Sequence, residues 1–429
     1  MHEKLAPSPE TRRFGLALVV LSLVAIAWLT LRPAHAGSSL ESHLCLVCGP
    51  EAGVDILLNM LLFIPLGAGL RLSGLSFWKA VVICFALSFS IETAQAFFVR
   101  GRASTLSDIL TNTGGGAIGF WAGRTWLAAS RKRAAWLTAI WGAIWLLIQI
   151  ASSYSFSPSL PVAQYYGKTA RELGTRAMFH GRVDSARIGT IPIRDGALMD
   201  SRSIRQLLMD GAPIVVHVSL SEPTRNFASI VRVADDKGRG IASLSEEGDR
   251  LVFSVRTGAA GLRLREPAFG MARVFTGVGR PADSAAETLV MSARFSDGTV
   301  QLSAQNGSAH RELEISPRAS QAWTVLVPFH GHLESGGMES GATFLWTSAL
   351  LVPLGFWAAS LARHLERASA YGLVGALAVL MAAGLTLVPA TFGLSGATPL
   401  DWIAAVCGIG LGGALMLLFN GSKKNPASA

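Results

Sequence analysis

Six residues stand out in a stretch made otherwise of leucine, isoleucine, phenylalanine, alanine and glycine: Asn59, Glu92, Gln95, Arg102, Asp108 and Asn112. A charged side chain at the centre of a membrane helix costs about 2.5–3.5 kcal/mol on insertion scales, so such residues usually face a protein interior or a watery cavity. Chemically the set is two carboxylates, three carboxamides and a guanidinium. It can pair charges, hydrogen-bond a polar head group, or grip an anionic one through the parallel donors of Arg102, joined by Arg100. Glu92 or Asp108 could also serve as a general acid or base. No nucleophile–base pair and no metal-ligand cluster accompanies them. A purely structural role is the competing reading, with the ionisable groups fixing helix register and the amides acting as interhelical glue.

The elements that must position these residues are apolar runs long enough to cross about 30 Å of hydrocarbon. Eight occur, at approximately 14–31, 54–72, 78–99, 107–129, 134–151, 342–363, 370–390 and 399–420. Half of the residues are hydrophobic, only 15% are charged, and mean hydropathy is +0.42, which excludes an ordinary soluble protein. The net charge of +9 does not indicate nucleic-acid binding, because Lys and Arg cluster at the ends of apolar runs rather than along a basic stripe. Lys4, Arg12, Arg13, Arg71, Lys79, Arg131, Lys132, Arg133, Arg363, Arg367, Lys423 and Lys424 fall on one side if every run spans. The expectation is a multi-pass inner-membrane protein with both termini cytoplasmic. Ala34-His35-Ala36 resembles a signal-peptidase site, but the preceding apolar run is long for a signal peptide, and retention of residues 1–36 is expected.

This topology brings the costly groups to one level. Asp55 and Asn59 lie near the outer end of the second run, Glu92 and Gln95 near that of the third, and Asp108 and Asn112 open the fourth. Glu92 is seven residues before Val99, or ~10 Å below the interface. Asp55 and Asn59 are spaced i, i+4, and Glu92 and Gln95 i, i+3. Asp108, Asn112, Gly115, Gly116 and Gly119 form one stripe, whose glycines would admit a close helix neighbour. Arg102 is placed to neutralise Glu92 or Asp108.

Cys84 and Cys407 lie in apolar runs and read as small hydrophobes. Cys45 and Cys48 form a C-L-V-C in a polar loop near His35 and His43. The pair reads as a redox or metal pair, or as a local disulfide or two thiols without a role. No metal is assigned.

Residues 152–341 interrupt the membrane pattern and should be extracytoplasmic. Strands are expected at 213–220, 227–233, 250–256 and 288–295, the last turning through Ser296-Asp297-Gly298-Thr299 into 300–304. An antiparallel β-sandwich follows. The run "VSLSEPTRNFASIVRVADDKGRGIASLSEEGDRLVFSVR" makes residues 214–329 similar to laminin-G or concanavalin-A-like domains. That resemblance implies glycan binding, sometimes with calcium at a loop rim. No calcium ligand set stands out, and Asp235 and Asp236 read as turn residues. No cofactor is expected.

The pattern N-x3-F-x-P-L-G, E-x2-Q-x6-R-x5-D-x3-N and then glycines is similar to that of the VanZ-like family of bacterial membrane proteins. Asn59, Phe63, Pro65, Gly67, Glu92, Gln95, Arg102, Asp108, Asn112 and Gly116 occupy its matching positions, within about residues 14–150. Thr105 departs from it, since relatives often carry an acid there, which weakens a two-carboxylate mechanism. The resemblance implies an envelope role and, from the family's name, a link to glycopeptide resistance.

The expected architecture is therefore an α-helical polytopic membrane protein with an inserted β-sandwich. A VanZ-like domain would occupy 1–151, the sandwich 152–341 and a C-terminal helical domain 342–429. The last reads as a degenerate repeat, with "ALLVPLG" at 349–355 echoing "LLFIPLG" at 61–67 and Asp401 echoing Asp108. The expected function is recognition of a lipid-linked glycan or other envelope component, with membrane lipid as the other partner. A membrane enzyme on such a precursor and a transporter or flippase are the alternatives.

Overall fold

The computed structural model describes residues 8–32, 49–99, 105–125, 130–170, 177–219, 226–275, 288–327, 332–334 and 337–421. The chain divides into two compact units, Met1–Ser130 and Arg131–Ala429.

Among its described residues the first unit holds four helices, α1 (Pro9–Thr30), α2 (Ala52–Leu72), α3 (Phe77–Phe98) and α4 (Leu106–Thr125). Gly15 and Gly69 let α1 lie antiparallel on α2: a Cβ on Gly15 would strike Leu72 and Ser73, and one on Gly69 would crowd Val19. The small core contains Phe63, Leu66, Leu70, Ala80, Cys84, Ile91 and Phe120. Outward faces carry bare apolar side chains such as Leu21, Val24, Trp78 and Phe89, as lipid-facing helices do.

The second unit begins with α5 (Arg131–Phe156). Strands then follow in chain order: β1 (Tyr165–Thr169), β2 (Ala177–Met178), β3 (Arg182–Ile188), β4 (Ile191–Pro192) and β5 (Gly196–Ala197) precede the short amphipathic helix α6 (Ser201–Met209). After it come β6 (Ile214–Ser219), β7 (Ala228–Asp235), β8 (Gly240–Glu247), β9 (Arg250–Val255), the turn of helix α7 (Gly258–Gly261) and β10 (Ala268–Met271). The last strands are β11 (Thr288–Ser296), β12 (Thr299–Asn306), β13 (Ala309–Ile315) and, after a 3₁₀ helix at Ala319–Val325, β14 (His332–Leu333). The C-terminal helices are α8 (Gly337–Ala362), α9 (Arg367–Ala382), a π-helical turn (Ala383–Leu387), α10 (Val388–Thr391) and α11 (Pro399–Gly421).

Among the described residues two sheets form the β region. One runs β14-β10-β9-β8-β7-β1-β5 with β2 beside β7, and the other β13-β12-β11-β6-β3-β4. Neighbours are antiparallel except β10–β14 and β2–β7. In the six-stranded sheet alternation is clean: Ile214, Val216 and Val218 point inward with Leu289, Met291, Ala293, Phe295, Val300 and Leu302. The sequence-derived strands are found as β6, β7, β9, β11 and β12. Asp297 and Gly298 both take positive φ, at 51° and 70°, in the hairpin turn their types suggested. β8 escaped sequence reading because "GIASLSEE" is small and polar, although six of its eight residues are buried. Its serines lie inside a sheet buried on both faces, where alternation gives no signal.

Among the described residues seven helices are long and apolar enough to cross a membrane: α1, α2, α3, α5, Glu339–Ala362, Arg367–Thr391 and Pro399–Leu418. The chain is a multi-pass helical membrane protein with a β domain inserted in the middle. The remaining expected span, α4, is nearly as long as α2 and α3 at 20 residues but too polar to qualify by composition. Its packing explains how it is accommodated. Gly115, Gly119 and Gly123 lie against Met60, Ile64 and Ala68 in step, so α4 runs parallel to α2 at matched height.

Candidate functional site

The site is built where α2, α3 and α4 meet. The α2–α4 crossing comes first, because it fixes everything else. A Cβ on Gly67 would overlap the Gly116 carbonyl, one on Gly115 the Met60 carbonyl, and one on Gly119 the Ile64 carbonyl. Only glycine permits this backbone approach. On the other side of α4, a Cβ on Gly116 would run into the Cys84 thiol of α3, so Cys84 is the small buried filler expected of it. Pro65 lies inside α2, one turn from Leu61, whose carbonyl it leaves without the usual helical donor.

With the helices so close, side chains reach across. Asn59 Nδ2 donates to Asp108 Oδ1 at 2.6 Å. Thr105 Oγ1 donates to Asp108 Oδ2 at 2.8 Å, and the Asp108 backbone N–H returns to Thr105 Oγ1 at 3.2 Å. This reciprocal pair caps the start of α4 in the Thr-x-x-Asp manner. The Thr105 N–H donates to Glu92 Oε2 at 3.1 Å, tying α3 to the same turn. Asn112 Nδ2 donates to Ser88 Oγ at 2.9 Å, and Gln95 Nε2 donates to the Thr30 carbonyl at the end of α1 at 2.9 Å. Glu92, Gln95, Asn112 and Ser88 are buried. The Asn112 Oδ1 is buried with no hydrogen-bond partner, a costly condition for a carboxamide oxygen.

Five of the six sequence-derived residues are therefore gathered at one level: Asn59, Glu92 and Asp108 in one chain of bonds through Thr105, with Asn112 and Gln95 flanking. Asp55 is exposed in the first turn of α2. Arg102, like Arg100, Cys45 and Cys48, lies outside the described residues.

Sequence reading missed Ser88 and Thr30, and gave Thr105 only as a departure from a pattern. Ser88 sits one turn before Glu92 on the face that carries Gln95, so its spacing was a usable signal. Thr105 with Asp108 is a capping pattern in its own right. The helical segment containing this whole arrangement can be compared with known families. Residues 9–127 match the VanZ/LLP1 family model. The VanZ/LLP1 match thus takes in α1–α4 and every residue of the candidate site, and ends before α5. No curated protein and no solved structure matches the chain.

The β domain has a local constellation at Asp235, expected as a turn residue. Its Oδ1 accepts the N–H groups of Lys237 and Arg239 at 3.0 and 2.8 Å, and its Oδ2 accepts from Arg239 Nε at 2.7 Å. Among the described residues no group of three His, Cys, Asp or Glu is arranged for a metal. Cys407, expected to pack as a small hydrophobe, is instead exposed on α11, because its helix position faces away from α8.

Proposed function

We propose that the VanZ/LLP1 segment recognises the head group of a lipid-linked envelope glycan or a related polysaccharide precursor at the outer leaflet of a bacterial inner membrane. The observation that carries this is the convergence of two carboxylates and two carboxamides from three helices at one level. Glu92, Asp108, Asn59 and Asn112 offer acceptors and donors suited to sugar hydroxyls, and the unpartnered Asn112 Oδ1 awaits a donor. Arg100 and Arg102 would supply the positive charge for a phosphate or diphosphate, since a guanidinium donates two parallel bonds. The β domain, read as a laminin-G-like module, would by itself contact sugar. Altered sensitivity to glycopeptide antibiotics would follow from sequestering or presenting a cell-wall precursor.

The test uses the purified full chain in nanodiscs with and without a polyprenyl-diphosphate-linked disaccharide. Arg102→Ala should lose binding, with Asn59→Ala and Asn112→Ala each weaker by about 1 kcal/mol, near fivefold. Glu92→Gln and Asp108→Asn should largely spare binding. If those two bind normally but abolish a turnover seen in the wild type, a membrane enzyme using Glu92 or Asp108 as acid or base is the better reading. Wild-type binding and folding in all five variants would leave the polar residues with a structural role only.

A further inference from the structure

The second unit contains a helix pair whose packing repeats that of α2 and α4 residue for residue. A Cβ on Gly355 would overlap the Ile409 carbonyl, one on Gly408 the Ser348 carbonyl, and one on Gly412 the Val352 carbonyl. Met60, Ile64 and Gly67 of α2 thus correspond to Ser348, Val352 and Gly355 of α8, with identical intervals. Gly115, Gly116 and Gly119 of α4 correspond to Gly408, Ile409 and Gly412 of α11. Pro65 falls on Pro353, also inside its helix. The same register carries Thr105 and Asp108 onto Thr398 and Asp401, which reproduce the cap. Thr398 N and Oγ1 both donate to Asp401 Oδ2 at 2.8 Å, and the Asp401 N–H returns to Thr398 Oγ1 at 3.4 Å. Three close backbone approaches, an internal proline and a reciprocal cap in one register exceed what apolar composition produces by chance.

The polar partner differs. Asn59, which bonds Asp108, corresponds to Thr347, whose buried Oγ1 has no hydrogen-bond partner. Asp401, only 1% exposed, instead pairs with Arg318 Nε at 3.2 Å, and Arg318 belongs to the β domain just before the 3₁₀ helix. Beside it, Trp323 Nε1 donates to Thr343 Oγ1 at 3.0 Å on α8, at the place of Asp55 in the first copy. The β11–β12 hairpin also touches this bundle, since a Cβ on Gly298 would overlap the Gly393 carbonyl, and Leu394 is buried in the β core.

We propose that α8 and α11 are a second copy of the α2–α4 unit, in which the acid of the polar site has become a socket for the β domain. Arg318 occupies it as a built-in guanidinium ligand. Removing the half-buried Arg318 leaves the buried Asp401 charge uncompensated, so this socket holds the β domain to the C-terminal bundle.

The experiment is carried out on the full chain in nanodiscs, by hydrogen exchange and thermal unfolding. Arg318→Met should lower amide protection in the first turns of α11 by at least about tenfold, while amides of α2 and α4 stay unchanged. Thr347→Asn, added to Arg318→Met, should restore that protection, because residue 347 then donates to Asp401 as Asn59 does to Asp108. Thr347→Ala in the same background should restore nothing. Unchanged protection in Arg318→Met overturns the socket, and failure of Thr347→Asn to rescue overturns the correspondence. Should Arg318→Met not fold, Thr347→Asn in the native background decides the matter: it should raise the unfolding midpoint by about 2–4 °C, and no rise refutes the correspondence.

Discussion

The α2–α4 and α8–α11 pairs share a backbone crossing and differ in what they do with it. In both, glycines bring carbonyls of one helix against the Cα positions of the other, and Thr-x-x-Asp caps the second helix. In the first pair a third helix approaches closely enough for Ser88 to meet Asn112 and for Glu92 to meet Thr105. In the second, Gly116 is replaced by Ile409 and Asn112 by Ala405, so neither the space nor the hydrogen-bonding partner for such an approach remains. α9 carries no carboxylate and packs instead toward α5, where Leu380 meets Gly142. Close backbone contact and polar chemistry are therefore separable: the former needs small residues in register, the latter needs a third helix admitted by one more glycine.

The largest effects should come from the crossing itself. Gly67→Leu, Gly119→Leu, Gly355→Leu and Gly412→Leu each force a side chain into a neighbouring backbone and should cost more than about 4 kcal/mol, read as loss of folded monodisperse protein in detergent. Gly114, with nothing within 4 Å of a Cβ, is the control, and Gly114→Ala should gain about 0.5–1 kcal/mol. If the α8–α11 substitutions were harmless while those in α2–α4 were lethal, the likeness of the two pairs would fail.

Next in size are the polar partners. Asn59→Ala removes the donor to Asp108 and should destabilise the first unit by about 1–2 kcal/mol, whereas Thr347→Ala removes a hydroxyl without a partner and should be near neutral. Thermal unfolding of the two variants side by side measures the asymmetry.

Much of this was legible beforehand. The types and spacing of Asn59, Glu92, Gln95, Asp108 and Asn112 picked out the polar side chains that the helices bring together, because polar residues in apolar runs are few and periodic. Glycine at 115, 116 and 119 announced a close neighbour but not which helix it was. Thr105 looked like a lost acid, and only its bonds to Asp108 and Glu92 make it the joint between α3 and α4.

Acid should distinguish the β domain from the helical pairs. Asp235 is pulled up by burial, but the Arg239 backbone N–H, the Arg239 guanidinium and the Lys237 N–H outweigh that and hold its carboxyl below the ordinary 3.8. A carboxylate with a lowered folded value contributes stability above its unfolded value, and that contribution is lost as pH falls from about 4 through the folded value. Unfolding of the β domain followed by tryptophan fluorescence should steepen below pH ~4, and Asp235→Asn should flatten that dependence.

The smallest difference concerns the thiols. In a Cys45→Ser, Cys48→Ser background, a lipid-soluble maleimide should label exposed Cys407 in the native protein and reach Cys84, packed on Gly116, only after unfolding. Equal labelling would contradict the tight α3–α4 contact.

By itself the sequence determined that the chain lives in a membrane, that a β domain interrupts it, and which residues are chemically out of place there. Those properties follow from composition and from periods of two and 3.6 residues, which are local. Tertiary structure alone decided that α4 rides in step with α2, that Ser88 and Thr105 complete the site, and that Asp401 faces an arginine 83 residues earlier in the chain. Such pairings depend on which backbones approach within hydrogen-bonding reach, and no local pattern encodes the identity of a distant partner.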